Sequence, residues 1–282
     1  MRSISAQSFA QLGGGGSVLS RQKRDHIRLD ALLQRLQEVP AANQDKVLLD
    51  IYRLVFPHAF AEEAVLWPVM RRVLPDGDAL TLQVELEHQR INELVTRLET
   101  LEPGTPPFQR VLTRVIELLR EDVRDEEDAL LPRLQEKLTR FQLRSLGLAW
   151  ELVRVIAPTR PHPLVSRRPP GNVLSALPLA LIDRCRDFID SGRHARRGAL
   201  ASALESVSAA LARGAHAVER LPGLQRGEHP ATHVASRKGG GVGRAMFVAA
   251  GLSAVALAIA YSRKRRGPAG RKAGFGWRNS AT

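Results

Sequence analysis

His58-Ala59-Phe60-Ala61-Glu62-Glu63-Ala64-Val65-Leu66-Trp67-Pro68 and Asp122-Val123-Arg124-Asp125-Glu126-Glu127-Asp128-Ala129-Leu130-Leu131-Pro132 are one pattern written twice. Each has a polar side chain, three residues, Glu-Glu, two residues, Leu, one residue and Pro. In a helix, His58/Glu62 and Asp122/Glu126 are i, i+4 pairs, so each pair points the same way from adjacent turns. An internal repeat of this kind predicts two related helix hairpins facing each other.

Working outward, four windows carry helical periodicity. His26, Leu29, Leu33 and Leu36 share one face. So do Val47, Ile51, Leu54, His58, Glu62 and Leu66. The third face is Leu80, Val84, His88, Ile91, Val95 and Leu98. The fourth is Val111, Val115, Leu119, Asp122, Glu126 and Leu130. Turn chemistry separates them at Pro40, at Pro75-Asp76-Gly77-Asp78 and at Pro103-Gly104-Thr105-Pro106-Pro107. No stretch alternates like a strand. The pattern predicts an all-α protein, with an antiparallel up-down four-helix bundle over residues 18–140.

The inward stripe of such a bundle is normally apolar. Here each helix places metal-competent groups in it: His26; His58 and Glu62; His88; Asp122 and Glu126. Buried without partners, these six groups are costly. A bound metal pair removes the cost by making them ligands. A lone His26, or a lone His/Glu pair, reads more simply as a hydrogen-bonded residue or a surface pair. The contribution of all four helices is what points to a metal.

These residues resemble the hemerythrin-like family, the HHE cation-binding domain. The matching features are Asp25-His26, His58 with Glu62-Glu63 and Leu66-Trp67-Pro68, Glu87-His88, and Glu126-Glu127 with Leu130-Leu131-Pro132. The resemblance covers about residues 18–140. It implies a non-haem di-iron centre that binds or senses dioxygen or related oxidants, with Glu62 and Glu126 as bridging carboxylates and an open position for dioxygen or peroxide. Asp122 stands where the family usually has histidine, and either ligates iron or empties one position. Asn92 stands where classical oxygen carriers have a further histidine. Fewer imidazoles and more carboxylates favour hard, higher-valent iron, which leans away from reversible oxygen transport. Oxidant binding or sensing is the leading function. A peroxide-degrading enzyme and a metal-free helical membrane adaptor are the alternatives.

Glu63, Glu127, Glu87 and Asp25 are candidates to orient histidine N–H groups, although solvated helix charge is the simpler reading of Glu63 and Asp25. Trp67 reads as a packing residue.

The net charge of +13 is unevenly spread. Residues 1–157 carry 21 Lys+Arg against 23 Asp+Glu, and residues 158–282 carry 21 against 6. Residues 158–221 read as a Pro-rich linker or strap followed by two short amphipathic helices. His162 reads as structural, and Cys185 as a buried thiol. Residues 222–244 read as a flexible basic linker. The uncharged run 245–261 reads as a transmembrane helix of minimal length, and 262–282 as a basic tail. Small residues at four-residue spacing from Gly241 would let two copies pack as a homodimer. The basic flanks favour anionic lipid, with no motif for specific nucleic-acid recognition. The N-terminus lacks the apolar core of a secretory signal, which places the bundle in the cytoplasm of a membrane-associated protein. Positive charge on both sides leaves two topologies for the tail: it crosses, or the segment stays in one leaflet.

Overall fold

The structure is a computed structural model that describes residues 2–193 and 199–234. These residues are helical, with no strand among them. The four long helices of the bundle are α1 (Val18–Glu38), α2 (Ala41–Ala61), α4 (Gly77–Leu98) and α5 (Pro106–Asp125). Two of them continue through a π-helical turn into a short helix. Glu62–Leu66 leads from α2 into α3 (Trp67–Val73), and Glu126–Leu130 leads from α5 into α6 (Leu131–Lys137).

The repeated Pro favours these turns. Although α2 runs through Pro57 without a π turn, Pro68 and Pro132 lack an N–H, and their rings crowd the carbonyl four residues earlier, which favours a break in the α-ladder there. The chain widens by one residue instead. The Trp67 N–H reaches the Glu62 carbonyl and the Leu131 N–H reaches that of Glu126, both i to i+5.

The packing shows the up-down-up-down course. One apolar core holds Leu29, Leu33, Leu54, Ile91, Val95, Val115 and Leu119. A second holds Val18, Leu19, Leu66, Trp67, Met70, Val84, Leu130 and Leu131. Along α1 and α4 the chain passes from the second core to the first, and along α2 and α5 it returns. The six polar residues of the inward stripe form a slab between the two cores.

Three additions surround the bundle. Residues 2–17 lie over the second core with Ile4 and Leu12 buried, and Ile4 N donates to the Glu127 carbonyl at 3.0 Å. Helix α7 (Arg140–Ile156) packs on α1, α2 and the Glu62–Leu66 turn. Its Gly147 permits that approach, since a Cβ there would meet Gly16 O at 2.2 Å. Helices α8 (Gly171–Arg193) and α9 (Ala199–Glu219) pack on each other, and α8 also touches α2 and α7.

Residues 158–170 form a strap antiparallel to α4. Arg160 lies 3.4 Å from Glu99, His162 N donates to Asn92 Oδ1 at 3.0 Å, and Gln89 donates to the Pro163 carbonyl at 3.1 Å. Arg168 lies 2.8 Å from Glu85 and 3.0 Å from Asp78. His162 is structural: its ring bridges Asp183 at 3.0 Å and Glu219 at 2.9 Å.

Two expectations are corrected. Residues 222–234 start as structure, not as flexible linker: Leu224 is buried in a 3-10 turn at Pro222–Gln225, and the carbonyls of Leu224 and Arg226 accept from Ser166 N and Gly171 N. Cys185 is half-buried rather than enclosed. The proposed membrane helix at 245–261, the rest of the linker and the tail lie outside the described residues. Among the described residues, no helix is long and apolar enough to cross a membrane.

Candidate metal centre

All six stripe residues converge in the slab, and all are buried. Their ligand atoms fall into two groups that share Glu126. His26, His58, Glu62 and Glu126 form one; His88, Asp122 and Glu126 form the other. Within the first, His26 Nε2 lies 3.3 Å from Glu126 Oε2 and His58 Nε2 lies 3.1 Å from Glu62 Oε1. Within the second, His88 Nε2 lies 3.6 Å from Asp122 Oδ1 and 3.9 Å from Glu126 Oε1. Glu62 also spans the groups, its Oε2 being 3.7 Å from His88 Nε2. Asp122 therefore faces into the site.

The other nitrogen of each imidazole is held by a carboxylate. His26 Nδ1 meets Glu127 at 2.9 Å, His58 Nδ1 meets Asp25 at 3.3 Å, and His88 Nδ1 meets Glu63 at 3.0 Å. This fixes Nδ1 as the protonated nitrogen and turns Nε2 toward the centre of the slab. Glu63 and Asp25, for which solvated charge is the simpler sequence reading, are thus engaged with histidines. The π turn is the reason for Glu63: it buries two consecutive glutamates, Glu62 at 0% and Glu63 at 1% exposure. Glu87 instead takes its hydrogen bond from Gln83, at 2.6 Å.

Electrostatics without a metal show how crowded the slab is. Burial opposes charge on His26, yet Glu126 and Glu127 hold it up at about 9. Burial likewise opposes charge on His88, and Asp122 and Glu63 lift it to about 10. Burial pushes Asp122 well above the ordinary carboxylate range, with His88 opposing, and burial followed by Glu62 raises Glu126. Glu62 ends lowered despite burial, because His58 faces it.

The donor set fits a pair of cations. His26 Nε2, both Glu62 oxygens, Asp122 Oδ1 and Glu126 Oε1 are buried and make no well-aligned hydrogen bond, their nearest charged neighbours being the opposing ligand atoms at 3.1–3.9 Å. Atoms in that condition are expensive unless something else takes their lone pairs, and imidazole nitrogens with carboxylate oxygens suit transition metals. Beside them is a small cavity of about 20 Å³. His26, His58, His88 and Asp122 line one part, and Leu29, Leu54, Ile91 and Leu119 line another. A space of this size holds a water-sized molecule.

Sequence reasoning did not find the groups outside the bundle. Trp150 of α7 meets the His58 ring edge-on, with centroids 5.4 Å apart. Arg154 lies 3.8 Å from Asp25, and Arg167 of the strap lies 3.7 Å from Glu63. Asn92 donates to the His88 carbonyl at 2.9 Å within α4 and accepts from His162 N at 3.0 Å, and so joins that helix to the strap.

Comparison with known proteins agrees with this geometry. Residues 17–134 match the family described as the hemerythrin HHE cation binding domain. An uncharacterized hemerythrin-like protein of Schizosaccharomyces pombe is 25% identical over 173 residues, which is 59% of this chain and 83% of the relative. A DNA nickase of Nostoc sp. is 26% identical over 124 residues, 43% of this chain but 34% of that relative. No solved structure matches. With the motif, the bundle and the ligand slab in agreement, residues 17–134 of this chain belong to the hemerythrin HHE cation-binding family.

Proposed function

We propose that the slab holds a non-haem di-iron centre and that the protein binds or senses dioxygen or a related oxidant such as peroxide. The observation that carries this reading is the convergence of buried histidine nitrogens and carboxylate oxygens, in two groups sharing Glu126 and without well-aligned hydrogen bonds among them, beside a cavity of about 20 Å³. His26, His58, Glu62, His88, Asp122 and Glu126 would hold the metals, with Glu62 and Glu126 shared between them. The iron would supply redox electrons and an open coordination position for a small oxygen ligand. The chain supplies the rest. Leu29, Leu54, Ile91 and Leu119 give the cavity an apolar wall. Asp25, Glu63 and Glu127 accept the Nδ1 protons and hold the rings in register. Because the histidines carry protons when no cation is present, loading releases protons to solvent.

Membrane association is part of the proposal, and its support is sequence alone: the uncharged run 245–261 between basic flanks. Nucleic acid is not proposed as a partner. Arg160, Arg167 and Arg168, which contribute to the basic half, are engaged with carboxylates.

The test is anaerobic loading of the full chain with ferrous iron, followed by metal analysis and an optical spectrum before and after oxygen or peroxide. Two irons per chain and an oxidant-dependent visible band are expected. Less than one iron per chain overturns the reading, and sustained peroxide turnover would make the protein an enzyme rather than a sensor.

A further inference from the structure

The residues that match the family end at 134, but one polar chain into the metal slab begins well beyond them. Arg167 Nη1 lies 3.7 Å from Glu63 Oε1, and that same oxygen lies 3.0 Å from His88 Nδ1. Arg167 is 7% exposed. Its Nη2 donates to the carbonyls of His162 at 2.8 Å and Val165 at 3.1 Å, which fixes the guanidinium against the strap. The strap is itself tied to the His88 helix by the bond from His162 N to Asn92.

We propose that Arg167 is a positioning residue for the His88 metal position, acting through Glu63, so that the C-terminal module completes the metal centre. The reading rests on the di-metal proposal above. Glu63 is buried at 1%, and a buried carboxylate needs a compensating charge when its histidine is neutral and metal-bound. Arg167 supplies that charge and holds the carboxylate where it accepts the Nδ1 proton. With the proton fixed there, Nε2 presents its lone pair to the slab. The His58 side has a counterpart in Arg154 behind Asp25, but Arg154 is more exposed and is shared with Glu151 at 2.8 Å. Arg167 has no such competitor among the described residues.

Charge and positioning predict opposite signs here. Removing a cation near a metal should by itself tighten metal binding. Losing an orienting group should weaken it, by roughly 10-fold on the scale of outer partners of metal ligands.

The experiment titrates the full-length protein with ferrous iron and measures release of each metal equivalent to a chelator. Arg167→Gln should release one of the two equivalents about 10-fold more readily, and Arg167→Lys should recover part of that loss. Glu63→Gln should give the same defect, and the double variant should be no worse than either single one, as expected for residues acting through one path. Arg160→Gln is the control: it loosens the strap at Glu99 without touching Glu63, and should leave both equivalents in place. Unchanged or tighter retention in Arg167→Gln overturns the proposal, as does an equal loss in Arg160→Gln. If Arg167→Gln fails to fold, Arg167→Lys decides: retention equal to the unsubstituted protein with Glu63→Gln defective would overturn it. Failure of the unsubstituted protein to take up two irons would instead sink the proposed function.

Discussion

The two hairpins of the bundle carry the same eleven-residue pattern and build the same π turn, yet they serve the slab differently. The α1–α2 hairpin brings His26, His58 and Glu62. The α4–α5 hairpin brings His88, Asp122 and Glu126. One substitution in the repeat, Asp122 opposite His58, leaves one metal position with two imidazoles and the other with one. Backbone and ligand chemistry are therefore separable. Glu-Glu and Pro accompany the turn, while the residue four positions before the first Glu of the turn would set the donor set offered to a bound metal.

The largest way to break the comparison is Glu126→Ala. Glu126 belongs to both groups, so its loss should abolish uptake of both metal equivalents, measured by metal analysis of the loaded protein. The metal-free form should at the same time lose thermal stability, because His26, which Glu126 holds charged from 3.3 Å, is left buried without that partner. Loss of a single equivalent would show that the two positions do not share it.

Trp150→Ala comes next. Trp150 is 1% exposed and packs against His58, and no ring contact of that kind is found at His88 among the described residues. Truncation should cost about 3–5 kcal/mol in denaturant unfolding and should disturb metal retention on the His26/His58 side before the other.

Asp122→His sharpens the comparison by making the hairpins alike. Retention of the equivalent on the His88 side should rise, since a second imidazole there restores the donor set of the His26/His58 side. An unchanged affinity would argue that Asp122 is not a ligand.

The smallest effect is in pH. Behind α4, burial opposes charge on His162, but Asp183 and Glu219 raise it to about 10. Glu219 is lowered to about 2, burial being outweighed by hydrogen bonds from His162 and His216. A raised histidine gives stability that is complete below about 6.5 and lost as pH climbs toward 10. A lowered carboxylate gives stability present above its ordinary value and lost as pH falls toward 2. Stability should therefore be broad between these limits. His162→Gln should lower the whole plateau and remove its alkaline edge, as followed by chemical denaturation across pH.

The bundle was legible because each stripe residue announces its own face by spacing. Helix α7 was not. Its buried side has Leu143, Gly147 and Trp150, while Phe141, Leu148, Leu152 and Val155 are exposed on the other, so no single amphipathic stripe stands out. Its start is fixed by a capping box between Thr139 and Gln142. The role of Glu63 was hidden for a different reason. In a regular α-helix, two adjacent glutamates diverge by a wide angle, whereas the Glu62–Leu66 turn has both inside. Arg167 lies more than a hundred residues from Glu63, and no local pattern connects them. The charge imbalance of the basic half was visible, but not its use: Arg160 and Arg168 bind carboxylates of α4.

The polar slab has a consequence for how this bundle comes apart. Two apolar cores that meet across charged groups are mechanically in series, and without a cation the seam between them is held by ion pairs rather than by packing. Amides in the Glu62–Leu66 and Glu126–Leu130 turns are then the first of the bundle's interior to exchange with solvent, ahead of either core. Filling the slab would turn that seam into a rivet, so the protein would report metal occupancy as protection at its own waist.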